Sequence, residues 1–252
     1  MKSLFLLSLF FFQAAEASQL RWIIGESNTM PLARIENKEV KEGILKEVAE
    51  SLAKDLKQEL VFVVLPRGRV IEFLKENKAD GLCYIRPEWF EDDKNKLQWT
   101  DLLFTNREII VQHAEDKKLS SFKDLKGATF GTVLNYNYRK LESLIGETVK
   151  RSDAPNMSSN FLKLENNRVD YAVTDEFSYR YFLSNNKHQK QKLSSSVLVV
   201  DDLEIRCALS KRSSLSLAQV NLSLGKMHKN GQIEEVLKKY LGPSLKLKYP
   251  RN

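Results

Sequence analysis

The chain has 252 residues, 40 basic and 33 acidic, for a formal charge of +7, with 42% hydrophobic side chains and two cysteines. This length supports one large core or two smaller ones. Two cysteines with no CxxC spacing exclude a disulfide-scaffold fold and a zinc site of the usual ligand spacing. The cationic excess alone points either to an anionic surface or partner or to lysines decorating exposed helices, as in "LKEVAESLAKDLKQ".

The first element is a targeting segment. Lys2 precedes an apolar run from Leu4 to Phe12, and Ala15 and Ala17 flank Glu16 just before Ser18. The run is too short to span a bilayer, and the small residues fit a signal-peptidase site, so residues 1–17 read as a cleavable export signal. The exported chain is then periplasmic or secreted. No later segment is long and apolar enough to cross a membrane. In an oxidising compartment Cys83 and Cys207 are either a long-range disulfide or two buried thiols.

After the signal, "LRWIIG" reads as a buried strand and "ESNTMPLARIENKEVKEG" as a polar loop. Ile44, Leu45, Val48, Ala49, Leu52, Ala53 and Leu56 recur at helical spacing. "LVFVVL" is a continuous apolar strand of the kind buried on both faces. A short helix over Val70 to Lys75 and the strand "ADGLCYI" follow, giving β-α-β-α-β and a parallel sheet.

A second unit repeats the theme. "REIIVQH", "ATFGTVL", "ETVKRS" and "RVDYAV" read as strands; "YRKLESLI", "MSSNFLKLENN" and "EFSYRYFLSN" read as helices. "SSFKDLKG" has Ser121 and Asp124 in capping-box spacing and Gly127 at its end, so it reads as a short helix. "VLVVDDLEIRCALS" is a last strand. Val220, Leu224 and Met227, then Ile233, Val236, Leu237 and Tyr240, mark two closing helices separated by Asn230-Gly231. No Gly/Ser-rich tether separates the units.

No nucleophile elbow, zinc-protease helix or phosphate-binding loop occurs, and no cofactor is expected. His113, His188 and His228 fall on separate elements. The chemistry concentrates instead at the junction "RVDYAVTDEFSYRYFL", where Asp175 sits at the handover from strand to helix. Ligands in open α/β sheets lie beyond such strand ends, and Asp175 can also cap the helix that starts at Glu176.

The series "EGILKEVAESLAKDL", "LPRGRVIEFLKENKADG", "WTDLLFTNREIIV", "SSFKDLKGATFGTV", "NFLKLENNRVDYAVTDE" and "VNLSLGKMHKNGQIEEVLKKYLG" resembles, in that order, the bacterial extracellular solute-binding proteins of family 3. The resemblance implies an α/β fold of the two-lobed type II periplasmic binding class. Residues 18–105 and 204–252 would form one lobe and residues 106–203 the other, with two hinge strands. It implies a monomer that captures a small polar ligand, an amino acid or related compound, and hands it to an ABC permease. The same fold serves membrane sensors, and a dehydratase-type enzyme is the remaining alternative, for which Asp175, Glu26 and Arg86 would supply the acid and the anion clamp. Nucleic acid is not an expected partner.

The resemblance also assigns residues. The acid matching Asp175 binds a ligand ammonium group in the family. Asn135, Tyr136 and Asn137 stand where the family has Gly and small hydroxyl residues, at a helix start able to hold an anion. The family's carboxylate-gripping arginine falls on Asp93, so it is missing; Arg86 is the nearest cation, and a surface ion pair with Glu88 or Asp92 is its alternative role. Tyr84 and Trp89 flank Arg86 in "CYIRPEWF", either lining the cleft or packing under a loop. Arg69 and Glu26 are cleft candidates by position. The strands carrying Cys83 and Cys207 become sheet neighbours, which makes a disulfide geometrically reasonable beside the two-thiol reading.

Overall fold

The computed structural model describes residues 19–90, 92–186, 191–194 and 197–242. The export signal and His188 lie outside the described residues. In chain order the elements are β1 (Gln19–Gly25), β2 (Arg34–Glu36), β3 (Glu39–Glu42), α1 (Ile44–Leu56), β4 (Glu59–Leu65), α2 (Val70–Lys75), β5 (Gly81–Ile85), β6 (Leu97–Trp99), β7 (Phe104–Val111), β8 (Thr129–Val133), α3 (Arg139–Ile145), β9 (Lys150–Ala154), α4 (Met157–Glu165), β10 (Tyr171–Asp175), α5 (Glu176–Asn185), β11 (Leu198–Ser210), α6 (Leu217–Lys229) and α7 (Gln232–Leu241).

The helical stripes bury the residues their spacing selects. Ile44, Leu45, Val48, Ala49, Leu52 and Ala53 of α1 pack with Val220, Leu224 and Met227 of α6 and Ile233, Val236 and Leu237 of α7. The entry to α1 depends on Gly43. Its φ is 129°, and a Cβ there would lie 2.4 Å from the Leu32 carbonyl oxygen, so only glycine fits the close approach.

The strands run in the order β4-β1-β5-β11-β7-β10-β8-β9, with β6 also pairing β11. β1 is parallel to β4 and β5, and β8 is parallel to β9 and β10, as the alternating pattern requires. The joining strands are antiparallel. β11 pairs β7 from Leu198 to Ile205, then shifts register between Arg206 and Cys207 and pairs β5 and β6. One strand therefore belongs to both halves of the sheet. Each half has apolar clusters on both faces, with Trp22 and Ile23 on opposite faces of β1 and Ile109 and Ile110 on opposite faces of β7.

Three local expectations change. The loop after β1 contains the β2–β3 hairpin, turned by Asn37 and Lys38 with φ of 51° and 64°, the left-handed values of a two-residue hairpin turn. β4 pairs only β1 and is an edge strand, mostly half-buried, so its apolar run does not mean burial on both faces. "SSFKDLKG" forms a 3-10 turn over Phe122–Leu125, and Ser121 accepts from the Lys123 N–H at 3.2 Å without the reciprocal bond of a capping box.

Cys83 and Cys207 are direct partners across β5 and β11 and are joined by a disulfide that closes a sequence separation of 124 residues. Closing so long a loop restricts the unfolded chain most. Replacing both cysteines with serine should lower the unfolding free energy by about 2–5 kcal/mol. Urea denaturation with and without reductant checks this: coincident curves would mean that the bond does not form in solution.

Candidate functional site

Between the two halves lies a cleft with about 560 Å3 of empty space, part of it continuous with solvent, bounded by the loop after β1, by Arg67, by the segment after β5, by the start of α3 and by the β10–α5 junction. Asp175 is at its centre. The end of β10 leaves Asp175 in extended conformation as the N-cap of α5, where Oδ1 accepts from the Ser178 N–H at 3.0 Å and Oδ2 from the Ser178 hydroxyl at 2.7 Å. The cap and the cavity position coexist. Glu176, the next residue, takes both Nε and Nη2 of Arg107 at 2.5 and 2.6 Å and also Nε of Arg180, which clamps the start of α5 to β7.

Period-two alternation on β7 then decides which side chains face the cavity. Arg107 points to Glu176, while Asn106 and Glu108 point the other way. Asn106 Nδ2 donates to Asp175 Oδ1 at 2.9 Å and to the Tyr84 hydroxyl at 2.8 Å, linking β5, β7 and β10. Tyr84 holds a φ of 66°, uncommon for a bulky residue. Burial pushes its phenol well above the usual range, and the Asp175 charge adds to the rise.

Glu108 is the Cα partner of Asp175 on β10 and of Asp201 on β11, so three carboxylates stand in a row across adjacent strands. Arg86 relieves only one end. Its Nη1 donates to Asp201 at 2.8 Å and its Nε to Glu88 at 2.7 Å. Burial lifts the Glu108 carboxyl to about 7; Asp201 adds to the rise, Arg86 opposes it, and Asp175 adds a further increment. Among the described residues Glu108 has no hydrogen-bond or ion-pair partner.

Among the described residues, Arg67 is the guanidinium that lines the cavity. It lies over the rings of Tyr136 at 4.3 Å, Trp89 at 5.1 Å and Phe90 at 5.4 Å, a stack that leaves the N–H edges free for an anion. Ser27 Oγ and Tyr136 OH are 3.4 Å apart across the same mouth.

The sequence candidates divide. Asp175, Tyr84, Trp89, Tyr136 and Asn137 line the cavity. Arg86 lies outside it, in the adjoining outer cleft with Asp201, Arg139 and Lys140. Arg69 is exposed over Phe73, Glu26 is exposed beside Ser27, and Asn135 is exposed with a φ of 63°. The short α3 offers little to an anion, because Asn137 Oδ1 takes the Arg139 N–H at 2.9 Å. Arg67, Asn106, Glu108 and Ser178 escaped the sequence reading; Asn106 and Glu108 carried a signal, two polar residues at period-two spacing in a strand that must cross between cores.

Glu108 makes the ligand-free fold sensitive to pH. Its folded pKa is raised, so the stability it contributes is full below the ordinary carboxylate range and is lost as pH rises through about 7. The melting temperature of the ligand-free protein should fall between about pH 5 and 8, and Glu108→Gln should flatten that slope; an equal slope in the variant would assign the dependence elsewhere.

Residues 23–243 match the profile of bacterial extracellular solute-binding proteins, family 3. The L-cystine-binding protein TcyA of Bacillus subtilis (strain 168) is 24% identical over 151 residues, and the match spans 60% of this chain and about half, 55%, of that protein. Among solved structures, the substrate-binding protein of an amino acid ABC transporter superposes with a TM-score of 0.72 at 19% identity, covering 90% of this chain and 100% of the other. The GluR0 ligand-binding core in complex with L-glutamate gives 0.74 at 17% identity, covering 91% and 100%. These likenesses show the type II periplasmic binding fold, and the profile match extends over nearly all of the described chain. The protein belongs to family 3 of the bacterial extracellular solute-binding proteins.

Proposed function

We propose that the protein is an exported carrier that captures an amino acid or a related small polar compound in the cavity between its halves and delivers it to an ABC importer. The observation that carries this reading is the cavity itself. Its lining includes a carboxylate at a strand end, Asp175, and a guanidinium, Arg67, that has no ion-pair partner among the described residues. A zwitterion presents the complementary pair, an ammonium for the acid and a carboxylate for the base. The relatives named above bind different amino acids, cystine and glutamate, so membership sets the class of ligand and the side chains of this cavity set its identity.

In this reading residues 18–105 and 204–252 form one lobe and residues 106–203 the other, with β7 and β11 as the hinge. Closure is favoured only as far as the ligand binds the closed form better. The contacts of Arg67 and Ser27 with Tyr136 cross the mouth and hold that form. No helix among the described residues is long and apolar enough to cross a membrane.

The test is ligand-induced stabilisation. The full chain, exported by its own leader and purified from the periplasmic fraction, is unfolded, refolded without ligand and melted against the twenty amino acids. A cognate ligand at 100 times its dissociation constant should add about 2.7 kcal/mol. Asp175→Asn should abolish that gain while keeping a folded protein with a shape-conserving amide at the cap. An undiminished gain in the variant would remove Asp175 from the site and leave it only the cap.

A further inference from the structure

The charges that line the cavity do not match a simple zwitterion. A neutral amino acid brings one ammonium and one carboxylate. The cavity offers one guanidinium, Arg67, and two carboxylates, Asp175 and Glu108, none of the three in an ion pair among the described residues. Asp175 is well provided, with three hydrogen bonds from Asn106 and Ser178. Glu108 has none. It stands between two other acids on a shared face of the sheet, an arrangement that costs stability unless a cation intervenes. Arg86 satisfies the far end of the row and is used up there, bonded to Asp201 and Glu88.

We propose that Glu108 is the residue that selects the ligand, and that the cognate ligand is an amino acid carrying a second basic nitrogen, a diamino or guanidino acid. The inference rests on the carrier reading above. Arg67 takes the carboxylate, Asp175 the α-ammonium, and Glu108 the side-chain cation. A ligand of net charge +1 then complements the inner lining, whose charged side chains are Arg67, Asp175 and Glu108. The aromatic faces of Tyr84, Trp89 and Tyr136 cover the aliphatic stem between the charged ends. A neutral amino acid of the same length leaves Glu108 desolvated and unpaired; a diamine of the same length leaves Arg67 without its anion.

Three probes separate these contributions: L-lysine, L-norleucine, which lacks the second nitrogen, and cadaverine, which lacks the carboxylate. L-Ornithine, L-arginine, L-glutamine and L-glutamate complete the series, and calorimetry gives each dissociation constant. A dibasic amino acid should bind at least tenfold more tightly than norleucine, glutamine and cadaverine. Glu108→Gln should reduce the lysine-to-norleucine affinity ratio at least tenfold, a change that general loss of packing would not produce. Norleucine, glutamine or glutamate binding as tightly as every dibasic acid would overturn the inference and leave the carrier reading standing. Failure of every amino acid to bind a well-folded protein would overturn both.

Should the variant not fold, the wild type provides the second measurement. Lysine affinity should rise at least tenfold from pH 5.5 to pH 8 while norleucine affinity stays level, because only the ionised Glu108 pairs with the second cation. The groups facing it are Asp175 on β10, Asp201 on β11, Arg86 after β5, and Tyr138, Arg139 and Lys140 at the start of α3. A flat lysine profile would remove Glu108 from recognition.

Discussion

The strand Leu198–Ser210 must satisfy two half-sheets at once. Its first part takes its hydrogen bonds from β7 and its last part from β5 and β6, and the register shift between Arg206 and Cys207 marks the exchange. The extra residue at that shift is Tyr84 on β5, which falls between the Cys83–Cys207 and Ile85–Arg206 pairs; such a bulge bends its own strand and increases the local twist. The disulfide fastens β11 to β5 at this point, and Tyr84, the residue after Cys83, is thereby aimed into the cleft. Two crossing strands, one of them pinned by the disulfide beside the β5 bulge, form a connection that can flex without losing alignment.

The site follows from that geometry. β7 and β10 run side by side into the cleft, so their facing residues, Glu108 and Asp175, meet there whatever their chemistry. Sheet pairing fixes their separation, and the sequence fills the positions with acids. Asn106 holds Asp175 and Tyr84 in place through one amide, and Arg107, turned to the opposite face, clamps Glu176. Three consecutive residues of β7, from Asn106 to Glu108, thus carry the inner lining on one side and its bracing on the other. Electrostatic strain in the row is relieved at the Asp201 end alone, where Arg86 reaches across from the segment after β5.

Much of this was legible in the sequence because the signals were periodic. The stripes on α1, α6 and α7 and the strand-to-helix handover at Asp175 depend on local spacing, and local spacing survives folding. The apolar run of β4 was misleading because an edge position is a property of topology, which no run of residues reports. Arg69 and Arg67 illustrate the same limit. Both lie in "LPRGR", two residues apart on a turn, and a rotation about that turn sends Arg67 into the cavity and Arg69 onto Phe73. Arg86 lies beside the cleft with Glu88 and Asp201, and the second of these, 115 residues away, is a partner that no local spacing reports.

The missing family arginine then has a physical sequel. A cavity that loses its anion clamp at the segment after β5 must place a cation elsewhere or accept a ligand without a carboxylate. Arg67 enters from the turn before α2, and three aromatic rings hold its guanidinium face while leaving its edge open. Stacking of that kind fixes orientation without consuming hydrogen bonds, and among the described residues no group accepts from the Arg67 N–H donors. Trp89 and Phe90 occupy the stretch between "CYIR" and "WTD", where the resemblance places the family arginine, so in the proposed carrier that segment supplies part of the platform for Arg67.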